Sequence, residues 1–309
     1  MRVIFMGTTP FSVVILQQLL DDGHEVVAVV TQPDRPFGRK RILKASPVKE
    51  LALERGIDVL QPERIRDSVE DVLSYKPDLI MTCAYGQLVP RKILEAPKYL
   101  ALNVHASLLP KYRGGAPMHW SIIKGEKETG VTLMRMDVGM DSGGMLSSRT
   151  VQIEDEDMMS DVEAKLMEVS KSLIHTDLPL YLDGKLDFVE QDPDQVTFAY
   201  TISREDEYID FSRNVVDVYN HIRGLISWPV SYAVLEGVNV KFHGVIKFEE
   251  NHTQTPGTIL DVSEEGVDIA CVGGFVRLDK IQPAGKPLIL AHDFVNGMGR
   301  DWKGKVFNE

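Results

Sequence analysis

The first half of the chain alternates short apolar runs with amphipathic stretches, and this alternation restricts the fold more than any other feature. Val3 to Met6, Val26 to Val30, Leu79 to Cys83 and Leu102 to Val104 read as strands buried on both faces. Between the first two, Phe11 to Leu20 has the length of a crossover helix, entered through Gly7-Thr8-Thr9-Pro10 and left at Gly23. Strand, helix and strand repeated in this way predict an α/β, Rossmann-like domain built on a mostly parallel sheet. Ser46-Pro47 reads as a further helix start, serine as the cap and proline at the first helical position. Thr31 to Ser46 is then an unusually long loop, and such loops in compact domains are commonly functional.

Val162, Leu166, Val169 and Leu173 recur at helical spacing after Ser160, predicting a helix that ends near Pro179. The stretch from 184 to 206 is polar and carries Asp192-Pro193-Asp194, the composition of a connection. Beyond it lie one helix, Val215 to Leu225, and short strand-like runs at Ser231 to Leu235, Val238 to His243, Gly257 to Asp261, Val267 to Cys271 and Phe275 to Leu278. Short strands at this spacing predict a small C-terminal β-barrel of OB-like type. The expected organisation is a domain over 1–189, a linker over 190–206 and a second domain over 207–309, in keeping with a 309-residue chain.

No apolar run reaches the roughly 18 residues of a spanning helix, and no secretory pattern precedes the first strand, so a cytoplasmic protein is expected. The only cysteines, Cys83 and Cys271, suit neither a disulfide framework nor a zinc site, and no metal is expected. A formal net charge of −12 argues against nonspecific nucleic-acid binding, which relies on neutralising phosphates. Against that background Arg35, Arg39, Lys40, Arg41 and Lys44 crowd into one short segment with Pro36 and Gly38. Mutual repulsion and these two residues discourage a regular element there.

Asn103 and His105 are two apart at a strand end, hence on one face, at the sheet edge where ligands bind in parallel folds. An amide donor beside an imidazole suits a developing oxyanion together with proton transfer. Downstream, Gly130 to Met136 reads as a strand that runs into Asp137-Val138-Gly139-Met140-Asp141-Ser142-Gly143-Gly144. A carboxylate in such a turn can approach a ligand or orient a histidine, and physics alone does not rank Asp137 against Asp141. The turn at Gly7 has one glycine where a dinucleotide fingerprint needs three, which weighs against NAD; its helix N-terminus could still hold an anion.

Taken together, these segments resemble the folate-dependent formyltransferases. Asn103, His105 and Asp141 fall on that family's catalytic asparagine, histidine and aspartate. The resemblance implies 10-formyltetrahydrofolate as formyl donor, with Tyr85, Gly86, Gln87, Leu88, Val89 and Pro90, and Ser107, Leu108, Leu109 and Pro110, as folate-binding residues. The likeness is to the tRNA-specific branch. Thr31 to Pro36, the basic residues after them and Ser46-Pro47-Val48-Lys49 are similar to its inserted loop, which makes Arg35, Arg39, Lys40, Arg41 and Lys44 candidate tRNA contacts. Asn220-His221-Ile222-Arg223-Gly224, Trp228-Pro229 and Ile281 to Lys286 resemble its C-terminal tRNA-binding barrel. The implied reaction moves a formyl group onto the α-amine of initiator methionyl-tRNA without a covalent enzyme intermediate. Asn103 and His105 would donate to the formyl oxygen and Asp141 would relay protons; no protein partner is implied, and a monomer is expected. The turn Gly7-Thr8-Thr9-Pro10-Phe11 departs from the family's usual Gly-Thr-Pro-Asp-Phe.

Overall fold

The computed structural model describes residues 1–37 and 42–308, which group into two units. One comprises Met1–Pro117, Glu128–Gln152 and Glu163–Tyr200, the other Met118–Lys127, Ile153–Val162 and Thr201–Glu309. Along the chain come β1 (Arg2–Gly7), α1 (Pro10–Asp21), β2 (Glu25–Val30), β3 (Arg35–Phe37), β4 (Ile42–Lys44), α2 (Pro47–Glu54) and β5 (Val59–Leu60). There follow α3 (Val69–Ser74), β6 (Leu79–Cys83), α4 (Arg91–Leu94), β7 (Ala101–His105), α5 (Pro117–Ile123), β8 (Glu128–Arg135), β9 (Met145–Gln152) and α6 (Met159–Leu182).

The sheet of the first unit has the order β5-β2-β1-β6-β7-β8-β9. The pairs from β5 to β7 are parallel, while β8 and β9 are added antiparallel. Val3, Ile4, Phe5 and Met6 are wholly buried, as a central strand covered by helices on both faces requires. Helix α1 buries Phe11, Ile15, Leu16 and Leu19, one face at helical spacing. Chain direction across the sheet reverses beside β1, with β2 on one flank and β6 on the other. The carboxyl ends of β1 and β6 therefore open a crevice, the place where α/β sheets take ligands.

In this unit the long loop and the closing helix depart from the sequence expectation. Within the long loop, Arg35–Phe37 and Ile42–Lys44 pair as an antiparallel ribbon, with Pro36 opposite Leu43. Each strand of a two-stranded ribbon is an edge, so a proline can sit there with no ladder hydrogen bond to lose. Helix α6 also continues to Leu182 with Pro179 inside it.

The second unit is built on α7 (Val215–Leu225), β10 (Tyr232–Leu235), β11 (Val238–Phe248), β12 (Ile259–Val262), β13 (Val267–Cys271), β14 (Gly274–Pro283), β15 (Ile289–Leu290) and α8 (Ala291–Val295). Its strands form an antiparallel half-barrel in the order β10-β11-β14-β13-β12, with β15 on β14. Strand β11 runs past the expected end at His243 because Gly244 forms a bulge rather than a break: a Cβ there would lie 1.8 Å from Asp279 Oδ1. The core is aromatic, with Phe211, Phe242 and Phe307 in mutual ring contact. Among the described residues no helix is long and apolar enough to cross a membrane.

Arg223, fully buried on α7, donates Nη1 to the carbonyls of Glu154, at 2.8 Å, and Asp157, at 2.7 Å, and Nε to Asn220 Oδ1 at 2.8 Å. Desolvation pushes its pKa down, so these acceptors are what keep a cation there tolerable. Arg223→Met leaves them orphaned and is expected to lower stability by about 2 to 4 kcal/mol in urea unfolding. A loss below about 1 kcal/mol would mean that water replaces the guanidinium.

Candidate active site

Strand β7 ends at the carboxyl edge of the sheet and carries Asn103 and His105 on one face. Thr82, the register partner of Asn103 on β6, lies with its hydroxyl 2.7 Å from Asn103 Oδ1 and donates to it. With its oxygen engaged, the carboxamide has its Nδ2 hydrogens to offer. His105 is 5% exposed. Its Nε2 stands 3.0 Å from the Tyr112 carbonyl, which can only accept, so this nitrogen donates. Its Nδ1 faces Asp141 Oδ1 at 3.6 Å, beyond hydrogen-bond length. Both ring nitrogens thus face protein oxygens, and in this orientation the imidazole does not offer the expected donor to a substrate oxygen.

Asp141 adopts a left-handed backbone, φ 47°, in the turn between β8 and β9. The Gly114 N–H donates to its Oδ2 at 2.9 Å, and Gln191 Nε2 donates to its carbonyl and to that of Gly143, each at 2.8 Å. Gln191 Oε1 in turn accepts from Arg113 Nε at 2.9 Å. A Cβ on Gly143 would fall 2.0 Å from the Arg135 carbonyl, so the turn passes there only as glycine. The other candidate, Asp137, accepts the N–H of its neighbour Val138 at 2.7 Å, a local turn bond. Geometry thereby separates two aspartates that residue type could not.

Tyr112 to Gly114 forms a short ribbon with two working edges. One edge offers the Tyr112 carbonyl to His105 and the Gly114 N–H to Asp141. The other is stitched to residues 197–199: Tyr112 N–H donates to Thr197 Oγ1 and Arg113 N–H to the Thr197 carbonyl, both at 2.9 Å, and Ala199 N–H donates to the Arg113 carbonyl at 2.7 Å. Gly114 has φ 129°, and a Cβ on it would meet the Ala199 carbonyl at 2.5 Å.

The loop from Tyr85 to Pro90 leaves β6 at the crevice. The Tyr85 carbonyl accepts from Thr8 Oγ1 and Gln32 Nε2, both at 3.1 Å, while its ring is buried and its hydroxyl is pushed up to about 12 by desolvation. Gly86 has φ 87°. Gln87 is pinned from behind, its Oε1 accepting the Ile65 N–H at 2.7 Å. Val89 is buried and Pro90 precedes α4, whereas Leu88 is 82% exposed. On the next loop, Ser107 Oγ donates to the Lys111 carbonyl at 2.7 Å. Thr132 Oγ1 accepts the Leu109 N–H and donates to the Ser107 carbonyl, leading into the cis Leu109–Pro110 peptide. Leu108 packs over Gly130.

The Gly7 turn is not the anion seat that sequence allowed. Thr8 and Thr9 N–H both donate to Ser12 Oγ at 3.2 Å, and Ser12 N–H donates to Thr9 Oγ1. A Cβ on Gly7 would lie 2.7 Å from Phe5 and Ser12, so this glycine serves close packing. In the basic segment, Arg35 lies 3.6 Å from Glu63, and Lys44 is exposed on β4. Arg39, Lys40 and Arg41 lie outside the described residues. The segment's base is tied by a Thr31–Ser46 hydroxyl pair at 2.7 Å and by Lys49 to Asp34 at 2.7 Å. The Gln61 hydrogen bond, then the Lys49 bond, hold the Asp34 carboxyl below its ordinary value. Burial pushes both thiols, Cys83 and Cys271, up to about 12, which disqualifies them as nucleophiles.

Sequence reasoning missed Thr82, Gln191 and Thr197. Thr82 left a signal, a hydroxyl inside an otherwise apolar parallel strand. Gln191 and Thr197 left none, lying in a polar stretch without periodicity.

The family profile described as Formyl transferase matches residues 1–178, and that described as Formyl transferase, C-terminal domain matches residues 201–299. Methionyl-tRNA formyltransferase of Enterococcus faecalis is 46% identical over 303 residues, 97% of each chain. That of Bacillus subtilis is 46% identical over 299 residues, 96% of this chain and 94% of the other. Among solved structures, HypX from Aquifex aeolicus superposes with a TM-score of 0.69 at 19% identity, covering 98% of this chain and 50% of that one. The sugar 3N-formyl transferase WlaRD gives a TM-score of 0.67 at 19% identity, covering 93% and 99%. At such identities these two establish a common fold.

Gln191→Leu removes the donors to Asp141 and Gly143 and frees the Arg113 side chain. Displacing a positioned group by about 1 Å can cost about 100-fold, so turnover is expected to fall roughly 10- to 100-fold with KM values within about twofold. Steady-state kinetics with a thermal melt checks this; a rise in KM at constant kcat would show that Gln191 serves binding instead.

Proposed function

The chain belongs to the formyl transferase family, and we propose that it moves the formyl group of 10-formyltetrahydrofolate onto the α-amine of methionine esterified to initiator tRNA. It is a folate-dependent formyltransferase with the two-domain organisation that its family matches describe. The observation that carries the reading is the Asn103, His105 and Asp141 set at the crevice edge, each member held by its own backing groups.

The crevice suits a folate donor. Gly86 and the backbone after it lie open beside the exposed Leu88, with the Tyr85 carbonyl and Gln87 side chain bonded from behind, so a flat heterocycle can meet backbone polar groups and an apolar side chain. Tyr85 to Pro90 and Ser107 to Pro110 are the residues proposed to hold it. The donor supplies an activated formyl carbonyl and the charged tRNA the attacking amine; the chain orients them and moves protons. Asn103, oriented by Thr82, gives Nδ2–H to the oxygen on which charge develops. As the amine nitrogen bonds to the formyl carbon, the carbon's bond to the folate nitrogen breaks. His105 and Asp141 pass the proton that the amine loses to that leaving nitrogen, which departs as tetrahydrofolate, their 3.6 Å gap being one that substrate binding can close. No thiol or serine attacks the carbonyl. All three groups come from one chain, so a monomer suffices, acting in the cytoplasm where initiator tRNA is used.

Asn103→Ala, His105→Ala and Asp141→Ala are each expected to lower kcat/KM for charged initiator tRNA by roughly 100- to 10,000-fold, while Asp137→Ala stays within about threefold. Formyl transfer is measured on charged initiator tRNA, charged elongator tRNA and free methionine. Near-normal turnover in the first three folded variants, or a preference for free methionine, would sink the assignment.

Arg35, Lys44 and, outside the described residues, Arg39, Lys40 and Arg41 are proposed to neutralise acceptor-stem phosphates. Arg35→Ala with Lys44→Ala should flatten the salt dependence of tRNA binding by about 0.7 to 0.9 of a log unit per lost contact, leaving folate binding intact. An unchanged slope would return the ribbon to the status of ordinary surface.

A further inference from the structure

Residues 197–199 do more than back the catalytic ribbon. Phe198 is the parallel bridge partner of Arg113, and its ring stacks on that of Tyr200 with centroids 5.6 Å apart and planes 5° from parallel. Despite this alignment the two residues stay 49% and 61% exposed. Stacked rings gain most when a core covers them; here the pair presents flat apolar surface to solvent instead. Exposed Lys111 and the Arg113 side chain lie on the neighbouring segment. Flat exposed aromatics interleaved with basic side chains are what unpaired nucleotides bind, bases on the rings and phosphates on the cations.

Position adds to composition. The residue before Arg113 is Tyr112, whose carbonyl holds His105, so the stack is tied through one ribbon to the catalytic pair. We propose that Phe198 and Tyr200 form a stacking platform for an unpaired base at the 3′ end of the tRNA acceptor, with Lys111 and Arg113 flanking it for the phosphates. The proposal rests on the reading of charged tRNA as acceptor. Every base has a π face, so such a platform anchors the strand without reading its sequence; discrimination lies elsewhere. Anchoring the last bases beside the ribbon brings the esterified amine to His105 and Asp141 as a tethered reactant rather than a diffusing one.

The test uses the full-length enzyme and charged initiator tRNA whose terminal adenine is replaced by 2-aminopurine, a fluorophore quenched by stacking. Binding is expected to quench it in the parent enzyme and much less in Phe198→Ala and Tyr200→Ala. Those variants should raise KM for charged tRNA roughly 5- to 100-fold with kcat at saturation nearly kept, and Phe198→Trp should restore it. Unquenched probe on a parent enzyme that formylates charged tRNA overturns the platform and spares the functional reading. A rise confined to the KM of the folate donor overturns it in favour of a donor contact. Failure of the parent enzyme to formylate any charged tRNA overturns both.

Discussion

A single buried carboxamide, that of Gln191, fixes the relation between the turn that carries Asp141 and the ribbon that holds His105. Asp141 is left-handed, a conformation that costs an ordinary residue about 1 kcal/mol or more. Opposing that cost are the Gly114 amide on its carboxylate, a charge-assisted bond worth roughly 1.5 to 3 kcal/mol, and the Gln191 amide on its carbonyl, worth about 1 kcal/mol. The bonds outweigh the strain. The same Gln191 oxygen takes the Arg113 side chain, so turn and ribbon share one anchor, and neither can shift without disturbing the other.

What could be read from the chain follows from range. Strand runs such as Val3 to Met6 and the α1 face declare themselves within a few residues, because burial imposes periods of two or 3.6. Asn103 and His105 were legible for the same reason, two positions on one strand at a predictable edge. Gln191 was not: its partners Asp141 and Arg113 are 50 and 78 residues away, and nothing local marks it. Asp137 and Asp141 share one turn and one chemistry; only the backbone geometry assigns Asp137 to its neighbour's amide. Pro36 misled because a rule for interior strands does not bind a two-stranded ribbon.

The Rossmann-like first turn illustrates a reuse of architecture. In dinucleotide-binding domains the amides at this helix start face a phosphate. Here the Ser12 hydroxyl takes the Thr8 and Thr9 amides and the N-cap Thr9 hydroxyl takes that of Ser12, and Ser12 Oγ also donates to the Cys83 carbonyl at 2.6 Å. The Thr8 and Thr9 amides beside the crevice between β1 and β6 are thereby engaged within the protein and do not form an electropositive nest.

The stitching of residues 197–199 to the Tyr112 ribbon also has a consequence for biosynthesis. Chain elongation is vectorial, and a ribosome releases residues in order. Asn103, His105 and Asp141 emerge long before Gln191 and Thr197, so a nascent chain can form the parallel sheet while the groups that hold the Asp141 turn and the Tyr112 ribbon are still unmade. The arrangement of His105 and Asp141 is therefore completed late, by a short segment that closes loops of 85 and 50 residues. Such an order leaves the neighbourhood of His105 unfinished until about two thirds of the chain has been translated.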